Sequence, residues 1–223
     1  FIAYRFANTI IITTNLSADF IHKNFKIKKS KINVIPNFIN TEVFKKKPEI
    51  KKIDRLLFVG RLNAQKGIEL LLDSIKNIKI GIDIIGGGKG NWREKYEILA
   101  KKLNVDAKFY NNIPNNELVN YYNSCNIFIL CSNYEGNPKT LLEAMSCECA
   151  IICSNVEGIN NIVKKDNCVM IDLESKEIIN AINSLRHNEN KKKLIGREAR
   201  KYVLENNQID VIVKKFHKIY QNI

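Results

Sequence analysis

Short apolar segments alternate with amphipathic segments from Arg55 onwards, and this alternation constrains the fold more than any other feature. We predict strands at residues 56–59, 79–85, 107–110, 127–131, 150–153 and 168–171. We predict helices at residues 68–76, 91–103, 115–123 and 138–147. Continuous apolar strands separated by helices are typical of a parallel sheet covered on both faces. The pattern therefore predicts an α/β fold with a doubly wound, Rossmann-like parallel sheet, whose ligands bind where strands end and helices begin.

The first 52 residues lack this regular alternation. Residues 1–36 contain only three predicted elements, a strand at 10–14, a helix at 17–25 and a strand at 31–35. We interpret them as the remnant of a separate domain. Residues 37–52 are rich in lysine, contain Pro48 and show little periodicity, which predicts an exposed interdomain linker.

The remaining chain is long enough for one large domain followed by a terminal helix. Because 45% of the residues are hydrophobic, the chain can bury a substantial core. We assign residues 53–205 to the main domain. Residues 206–223 are predicted to form a helix with a one-sided apolar stripe, formed by Ile209, Ile212, Phe216, Ile219 and Tyr220.

The chain is strongly basic, with 36 Lys and Arg residues against 23 Asp and Glu residues and a formal charge of +13. Such a charge suits phosphorylated ligands, nucleic acid or an anionic membrane surface. A compositional bias displayed on a solvated face explains the excess equally simply. Since no recognisable nucleic-acid-binding module is present, we expect no nucleic-acid partner.

Apolar runs and cysteines indicate the compartment in which the chain works. The apolar runs fall far short of the ~20 residues needed to span a bilayer, and the opening residues do not resemble a secretory signal. The six cysteines mostly lie in apolar segments, which favours reduced, buried thiols over disulfides. We therefore expect a cytoplasmic location, with peripheral association with the inner face of the membrane left open.

Two cations lie five residues apart in the loop after the first strand of the main domain. Arg61 and Lys66 lie between Gly60 and Gly67, at the edge of the sheet where ligands bind. Arg61 could hold a pyrophosphate through forked hydrogen bonds, and Lys66 could hold it as a point charge. Taken alone, the pair is equally well explained as two solvated side chains.

A second loop, at residues 86–90, is rich in glycine and includes Gly86 and Gly88. A dinucleotide-binding fingerprint would need a small residue in place of Asn91, and a P-loop would need Ser or Thr in place of Gly90. Both motifs are therefore excluded. The loop either lets the backbone approach a ligand closely or forms an ordinary strand-to-helix turn.

The strongest group of candidate residues runs from Glu135 to Glu143. Asn137 suits the N-cap of a helix and Pro138 its first position, which would leave the amides of the next two residues, Lys139 and Thr140, facing an anion. One carboxylate could then reach a sugar before a diphosphate, and the other a ribose behind it. The spacing alone also fits an ordinary capped helix with two surface glutamates.

Residues 132–138 followed by 141–147 resemble the Glu-x7-Glu motif of family-4 retaining glycosyltransferases, which include glycogen synthases and bacterial sugar transferases. Residues 58–62 followed by Lys66 and Gly67 resemble the pyrophosphate clamp of the same family. Residues 34–37 are similar to its interdomain entry, and residues 84–88 to its second glycine-rich turn. The resemblance extends from about residue 10 to the C-terminus.

The resemblance implies a GT-B fold whose C-terminal, nucleotide-sugar-binding half is residues 53–205. Residues 1–36 would then be a remnant of the N-terminal, acceptor-side domain, and residues 206–223 would cross back onto that domain. The implied activity is transfer of a sugar, with retention of configuration, from a nucleotide diphosphate sugar to a glycan, lipid-linked or other acceptor. The chain would be incomplete alone, and the alternative is a module that binds nucleotide sugar without catalysis.

The resemblance also assigns roles to individual residues. Arg61 and Lys66 would bind the diphosphate and stabilise the leaving group, and Glu135 would hold donor-sugar hydroxyls near the reacting carbon. Glu143 would bind the ribose, and the backbone around Ile113 would bind the base. Catalytic roles therefore fall on Arg61, Lys66 and Glu135. The implied donor-binding set is Gly60, Arg61, Lys66, Gly86, Gly88, Ile113, Glu135, Gly136, Asn137, Pro138, Lys139, Thr140 and Glu143.

Some residues depart from the family pattern. Asn137 replaces a residue that is often aromatic or small, and Lys139 replaces one that is often small or polar, so the donor pocket is expected to be basic. Cys147 and Cys149 occupy a segment that usually contains glycine. No Asp-x-Asp pair is present, so we expect no metal and no cofactor.

Overall fold

The computed structural model describes residues 2–221 of the chain. The strands are β1 (Ile10–Ile12), β2 (Ile32–Val34), β3 (Arg55–Val59), β4 (Gly81–Ile85), β5 (Ala107–Tyr110), β6 (Ile127–Leu130), β7 (Ala150–Ser154) and β8 (Val169–Ile171). The helices are α1 (Ile2–Phe6), α2 (Asn15–Phe25), α3 (Ile68–Ile75), α4 (Trp92–Lys102), α5 (Asn115–Ser124), α6 (Lys139–Ser146), α7 (Glu157–Asn160), α8 (Ser175–Arg186), α9 (Glu189–Asn206) and α10 (Ile209–Tyr220). The elements predicted from residue 56 to residue 171 are all present, with ends within two residues of those predicted.

Six parallel strands form the main sheet in the order β5-β4-β3-β6-β7-β8. The chain builds one half outwards from β3 to β5, then crosses back to β6 and builds the other half to β8. The strand order therefore reverses between β3 and β6, and such a switch point opens a crevice at the carboxyl ends of the strands. This topology confirms the predicted doubly wound fold.

Helices cover the main sheet and bury its strands. Strands β4, β6 and β7 are buried along their whole length, as expected for interior strands of a covered parallel sheet. Helix α3 packs against α4 and α8, while α6 packs against α5 and α9. Because α3 follows β3 and α6 follows β6, the same packing fixes the two loops that enter these helices.

Residues 2–36 form a small unit beside the main sheet. Strand β1 pairs in parallel with β2 alone, from Ile10 opposite Ile32 to Ile12 opposite Val34. Helix α2 packs onto this pair and contributes Ile21 to a small apolar cluster with Ile10 and Ile27. The assignment of this unit to an acceptor-side domain stays a prediction.

Most of residues 37–52 are exposed, but two apolar side chains dock this segment on the main domain, and its role as an interdomain linker stays a prediction. Ile39 and Phe44 are buried in the main core, and Phe44 packs edge-on against Tyr122 with ring centroids 6.0 Å apart. The backbone amide of Lys47 donates to Asn123 Oδ1 at 2.7 Å. The lysines keep their charges near water while the few apolar residues between them pack inwards, so the high lysine content concealed a docked segment.

Helix α10 connects the main domain to the small unit. Ile39 N donates to Asn207 O at 2.9 Å just before α10 begins, and Lys218 and Ile219 near its end line a cleft with residues of the small unit, including Lys31. Of the predicted apolar stripe, Ile212 is buried, whereas Ile209 and Tyr220 are exposed. No helix within residues 2–221 is long and apolar enough to cross a membrane.

Candidate functional site

A cleft of about 430 Å³ opens at the carboxyl ends of β3 and β4, beside the switch point of the main sheet. Its lining comes from three separate loops, those after β3, β4 and β5. The lining residues are Val59, Gly60, Arg61, Ile85, Gly86, Gly87, Gly88, Asn112, Ile113 and Leu118. Five predicted donor-binding residues, Gly60, Arg61, Gly86, Gly88 and Ile113, therefore share one cleft.

The glycine-rich loop allows two loops of the protein to lie directly against each other. A Cβ added to Gly86 would lie 2.0 Å from the carbonyl oxygen of Gly60, and one added to Gly88 would lie 2.3 Å from that of Leu62. The amide of Leu62 donates to Gly87 O at 2.9 Å. Glycine is therefore required at Gly86 and Gly88 because the backbones of two loops are in contact there. Neither interpretation drawn from the sequence, a close approach to a ligand or an ordinary turn, included this contact.

Arg61 is exposed at the cleft and carries an uncompensated charge. Within residues 2–221, no group forms a hydrogen bond or ion pair with its guanidinium. A guanidinium presents five N–H donors in a planar fork that matches phosphate oxygens. The arrangement suits the binding of an anionic ligand at this point.

Lys66 and Glu135, which the sequence placed on different parts of a ligand, form an ion pair with each other. Lys66 lies in a short 3-10 helix before α3, and its Nζ donates to Glu135 Oε1 at 2.5 Å. Ser132 Oγ donates to the same oxygen at 2.6 Å. Both charged side chains are largely buried, with 13% and 7% of their surface exposed. A diphosphate that binds Lys66 must therefore share this cation with Glu135.

Backbone contacts join the loops that carry this ion pair. The amide of Asn133 donates to Gln65 O at 2.8 Å, and Gln65 Nε2 donates to Tyr134 O at 2.7 Å. A Cβ on Gly67, which has a positive φ of 64°, would lie 2.1 Å from the carbonyl oxygen of Cys131. The loops after β3 and β6 are therefore packed directly against each other.

The prediction that Asn137 caps helix α6 was wrong. The helix begins at Lys139, Pro138 takes the N-cap position, and no side chain caps the first turn. Asn137 Oδ1 instead accepts from the amide of Asn37 at 3.0 Å, and Asn37 Nδ2 donates to Asn137 O at 2.6 Å. Asn137 forms these two hydrogen bonds with the segment before β3 instead of capping the helix. The capping propensity of a residue does not predict a contact 100 residues away in sequence.

The amides at the start of α6 remain available as donors, as they are in the first turn of any helix. Lys139 is exposed there, and its Nζ lies 5.3 Å from the ring centroid of Phe38, a cation–π contact. Lys139 thus places a cation at the start of α6, and the basic donor pocket expected from it stays a prediction.

Glu143 is a buried carboxyl group, which excludes the alternative of a surface glutamate. Only 8% of the residue is exposed, and Tyr122 donates its hydroxyl to Glu143 Oε2 at 2.7 Å. Burial raises the pKa of Glu143 to about 7, against the opposing effects of the Tyr122 hydrogen bond and the charge of Lys139. A carboxyl group so tuned changes its charge and its hydrogen-bonding character near neutral pH.

Replacing Glu143 by glutamine should change how stability depends on pH. Because the folded chain binds the Glu143 proton more tightly than the unfolded chain, with a pKa of about 7 against 4.5, the wild type loses stability as pH rises between these values. The Glu143→Gln variant lacks this loss and should gain about 3 kcal/mol relative to the wild type from pH 4.5 to pH 8. Urea unfolding across this range measures the difference. The exposed Glu117→Gln variant is the control, and parallel pH curves for Glu143→Gln and the wild type would contradict the assignment.

Sequence reasoning missed several residues that shape the site. Tyr122 lies in the apolar stripe of α5 and has the pattern of a core residue, and Ser132 is a fully buried serine whose role depends on the loop that follows it. Asn37 lies in the segment predicted to be exposed. Only the three-dimensional contacts reveal these roles.

The cysteines are buried, as predicted. All six are unpaired, and burial raises the pKa of the Cys131 thiol to about 12. Cys125 and Cys149 donate their thiols to the carbonyl oxygen of Tyr122 at 3.3 Å and 3.1 Å. Within residues 2–221, no group of three or more His, Cys, Asp or Glu residues could hold a metal ion.

Comparison with known proteins finds glycosyltransferases among the relatives of this chain. The amylovoran biosynthesis glycosyltransferase AmsD of Erwinia amylovora is 30% identical over 190 residues, which cover 80% of this chain and 52% of AmsD. The N-acetylgalactosamine-N,N'-diacetylbacillosaminyl-diphospho-undecaprenol 4-alpha-N-acetylgalactosaminyltransferase of Campylobacter jejuni is 27% identical over 146 residues, 64% of this chain and 40% of that protein. The chain thus spans about half or less of the length of these relatives.

A solved structure has the same fold over nearly the whole chain. Anabaena HepE in complex with UDP and glucose superposes with a TM-score of 0.88 and 17% identity, covering 99% of this chain and 65% of that one. The family model described as glycosyl transferases group 1 matches residues 40–221. With its reversed parallel sheet and its cleft at the switch point, this chain belongs to the group 1 glycosyltransferases and has their GT-B fold.

Proposed function

We propose that this chain supplies the donor site of a retaining glycosyltransferase, which transfers a sugar from a nucleotide diphosphate sugar to a glycan or lipid-linked acceptor. The observation that carries the proposal is the unpaired Arg61 guanidinium in a cleft beside the switch point, together with two buried carboxylates on the loop and helix that follow the neighbouring strand β6. A cation for the diphosphate and carboxylates for hydroxyl groups match the chemistry of such a donor.

Each group has a specific role in this proposal. Arg61 binds the diphosphate and stabilises the charge that develops on the leaving nucleotide, where preorganised donors have their largest effect. The backbone at Ile113 binds the base, and Glu143 accepts hydrogen bonds from the ribose. Glu135 orients the sugar through Oε2, because its Oε1 already accepts from Lys66 and Ser132.

The relatives support the choice of substrates. The HepE structure holds UDP and glucose, and the Campylobacter jejuni relative is named for transfer to an acceptor that carries diphospho-undecaprenol. A lipid-linked acceptor would also suit a chain with a charge of +13. The second candidate function is capture of nucleotide sugar without transfer, and the ion pair that already engages Lys66 with Glu135 favours it.

Binding and transfer assays on the 223-residue chain test this proposal. Calorimetric titration should show weak, saturable binding of UDP-glucose or GDP-mannose and weaker binding of free glucose or mannose. Release of free nucleoside diphosphate in the presence of a lipid-linked acceptor reports transfer and separates the two candidates. If no nucleotide diphosphate sugar binds to the folded chain, the proposed function is wrong.

A further inference from the structure

Tyr122 is held in place by contacts to both its ring and its backbone. It lies on α5 and is fully buried, with its ring centroid 6.0 Å from that of Phe44 and 5.8 Å from that of Phe128. Its carbonyl oxygen accepts from the thiols of Cys125 and Cys149. The ring and the backbone are therefore fixed from several directions, and the hydroxyl has one position.

That position is beside the carboxyl group of Glu143. The Tyr122 hydroxyl donates to Oε2 at 2.7 Å, in the interior of the protein. Within residues 2–221 no hydrogen bond to Oε1 is recorded, so this oxygen is the one that can accept from a ligand. One oxygen is thus held by the protein, and the carboxyl plane cannot rotate freely.

The surroundings of Glu143 explain why this hydrogen bond matters. Burial favours the neutral acid, whereas the Tyr122 hydroxyl from α5 and Lys139 from the same helix favour the carboxylate. Cys147, which follows α6, keeps its proton because burial raises the pKa of its thiol, and Phe44 contributes no charge. Removing the hydroxyl leaves burial opposed by Lys139 alone, which shifts Glu143 towards its neutral form at pH 7.

We propose that Tyr122 is a positioning residue for donor binding, because its hydroxyl holds Glu143 with one oxygen directed to the ribose of the nucleotide diphosphate sugar. The inference rests on the proposed function and adds to it a residue that does not touch the donor. It also makes donor affinity dependent on pH, since the carboxylate accepts hydrogen bonds from ribose hydroxyls better than the neutral acid does.

The test compares UDP-glucose affinity from pH 6 to pH 8.5 for the wild type and the Tyr122→Phe variant. The diphosphate of UDP-glucose carries no proton that titrates in this range, so a pH dependence reports the protein. The wild type should bind more weakly at pH 6 than at pH 8. At pH 7 the Tyr122→Phe variant should bind about three- to tenfold more weakly than the wild type, and the difference should shrink at pH 8.5.

Tyr96→Phe is the matched control. Tyr96 is also fully buried, but its hydroxyl has no hydrogen-bond partner within residues 2–221, so its removal should leave UDP-glucose affinity and its pH profile unchanged. A merely structural role of Tyr122 would instead lower affinity by the same factor at every pH. A pH profile of Tyr122→Phe parallel to that of the wild type overturns the proposal.

A double-mutant cycle with Glu143→Gln provides a second, independent measurement. If Tyr122 acts through Glu143, removing the hydroxyl from the Glu143→Gln variant should cause no further loss of affinity. Fully additive losses overturn the proposal. Should Tyr122→Phe not fold because it leaves a buried carboxylate unpaired, the double variant lacks that carboxylate and still allows the comparison with Glu143→Gln. If the wild type binds no nucleotide diphosphate sugar, the proposed function fails and this inference fails with it. Wild-type binding with parallel pH profiles defeats the inference alone.

Discussion

Replacing Arg61 by alanine should lower the affinity of the chain for a nucleotide diphosphate sugar by about ten- to a hundredfold. A charge-assisted hydrogen bond to phosphate contributes about 1.5 to 3 kcal/mol, and the Arg61 guanidinium has no competing partner within residues 2–221. Because the side chain is exposed and outside the core, its loss should leave thermal stability nearly unchanged. Calorimetric titration with UDP-glucose measures the effect.

The control for this prediction is Arg197→Ala, which removes the same charge from an exposed position on α9. It should leave the affinity unchanged, so that a general effect of net charge is separated from a contact at the cleft. Inorganic pyrophosphate has no ribose, so it should bind more weakly to Arg61→Ala than to the wild type and equally well to Glu143→Ala. Unchanged affinity for UDP-glucose in folded Arg61→Ala would remove this residue from the site.

The fold of the main domain was predictable because each strand is a short apolar run between helical segments. Strand β5 (Ala107–Tyr110) has the predicted bounds, and the largest difference is in β4, which begins at Gly81 rather than at residue 79. Gly81 pairs with Arg55, the first residue of β3, so the residues before Gly81 have no strand partner. No helix was predicted between residues 172 and 205 of the main domain, where the structure has α8 and most of α9.

The sequence predicted which residues line the cleft better than it predicted which side chains pair with each other. Arg61, Gly86 and Ile113 reach one cleft because the carboxyl ends of parallel strands meet at one edge of the sheet. The Lys66–Glu135 ion pair depends on a separation of 69 residues that closes only when two loops pack together. Local patterns carry information about helices and turns, and they carry none about which side chains from distant loops pair.

Asn137 and Phe44 both show that local sequence patterns do not predict tertiary contacts. Asn137 has a strong local preference for capping a helix, but its hydrogen bonds to Asn37 prevail because they join two segments in the folded chain. Phe44 lies among lysines and has no local pattern of burial, yet it packs on Tyr122 in the main core. In both cases tertiary contacts outweigh the propensity of the segment.

Replacing Gly158 by alanine should destabilise the chain by about 3 kcal/mol and weaken donor binding as well. Gly158 lies in the short helix α7, and a Cβ there would lie 1.9 Å from the carbonyl oxygen of Glu135 and 2.4 Å from that of Gly136. These contacts are backbone atoms that cannot move aside without displacing the loop, and with it the Glu135 carboxylate and its ion pair with Lys66.

Gly136→Ala is the matched control for Gly158→Ala, because no atom lies within 4 Å of the Cβ it would add, although it changes the same loop. Its free energy of unfolding in urea should stay within about 0.5 kcal/mol of the wild type. The two variants therefore differ in whether the added methyl group meets the backbone that carries Glu135. A Gly158→Ala variant as stable as Gly136→Ala, with unchanged affinity for UDP-glucose, would show that the loop can move without cost and that its position does not determine donor binding.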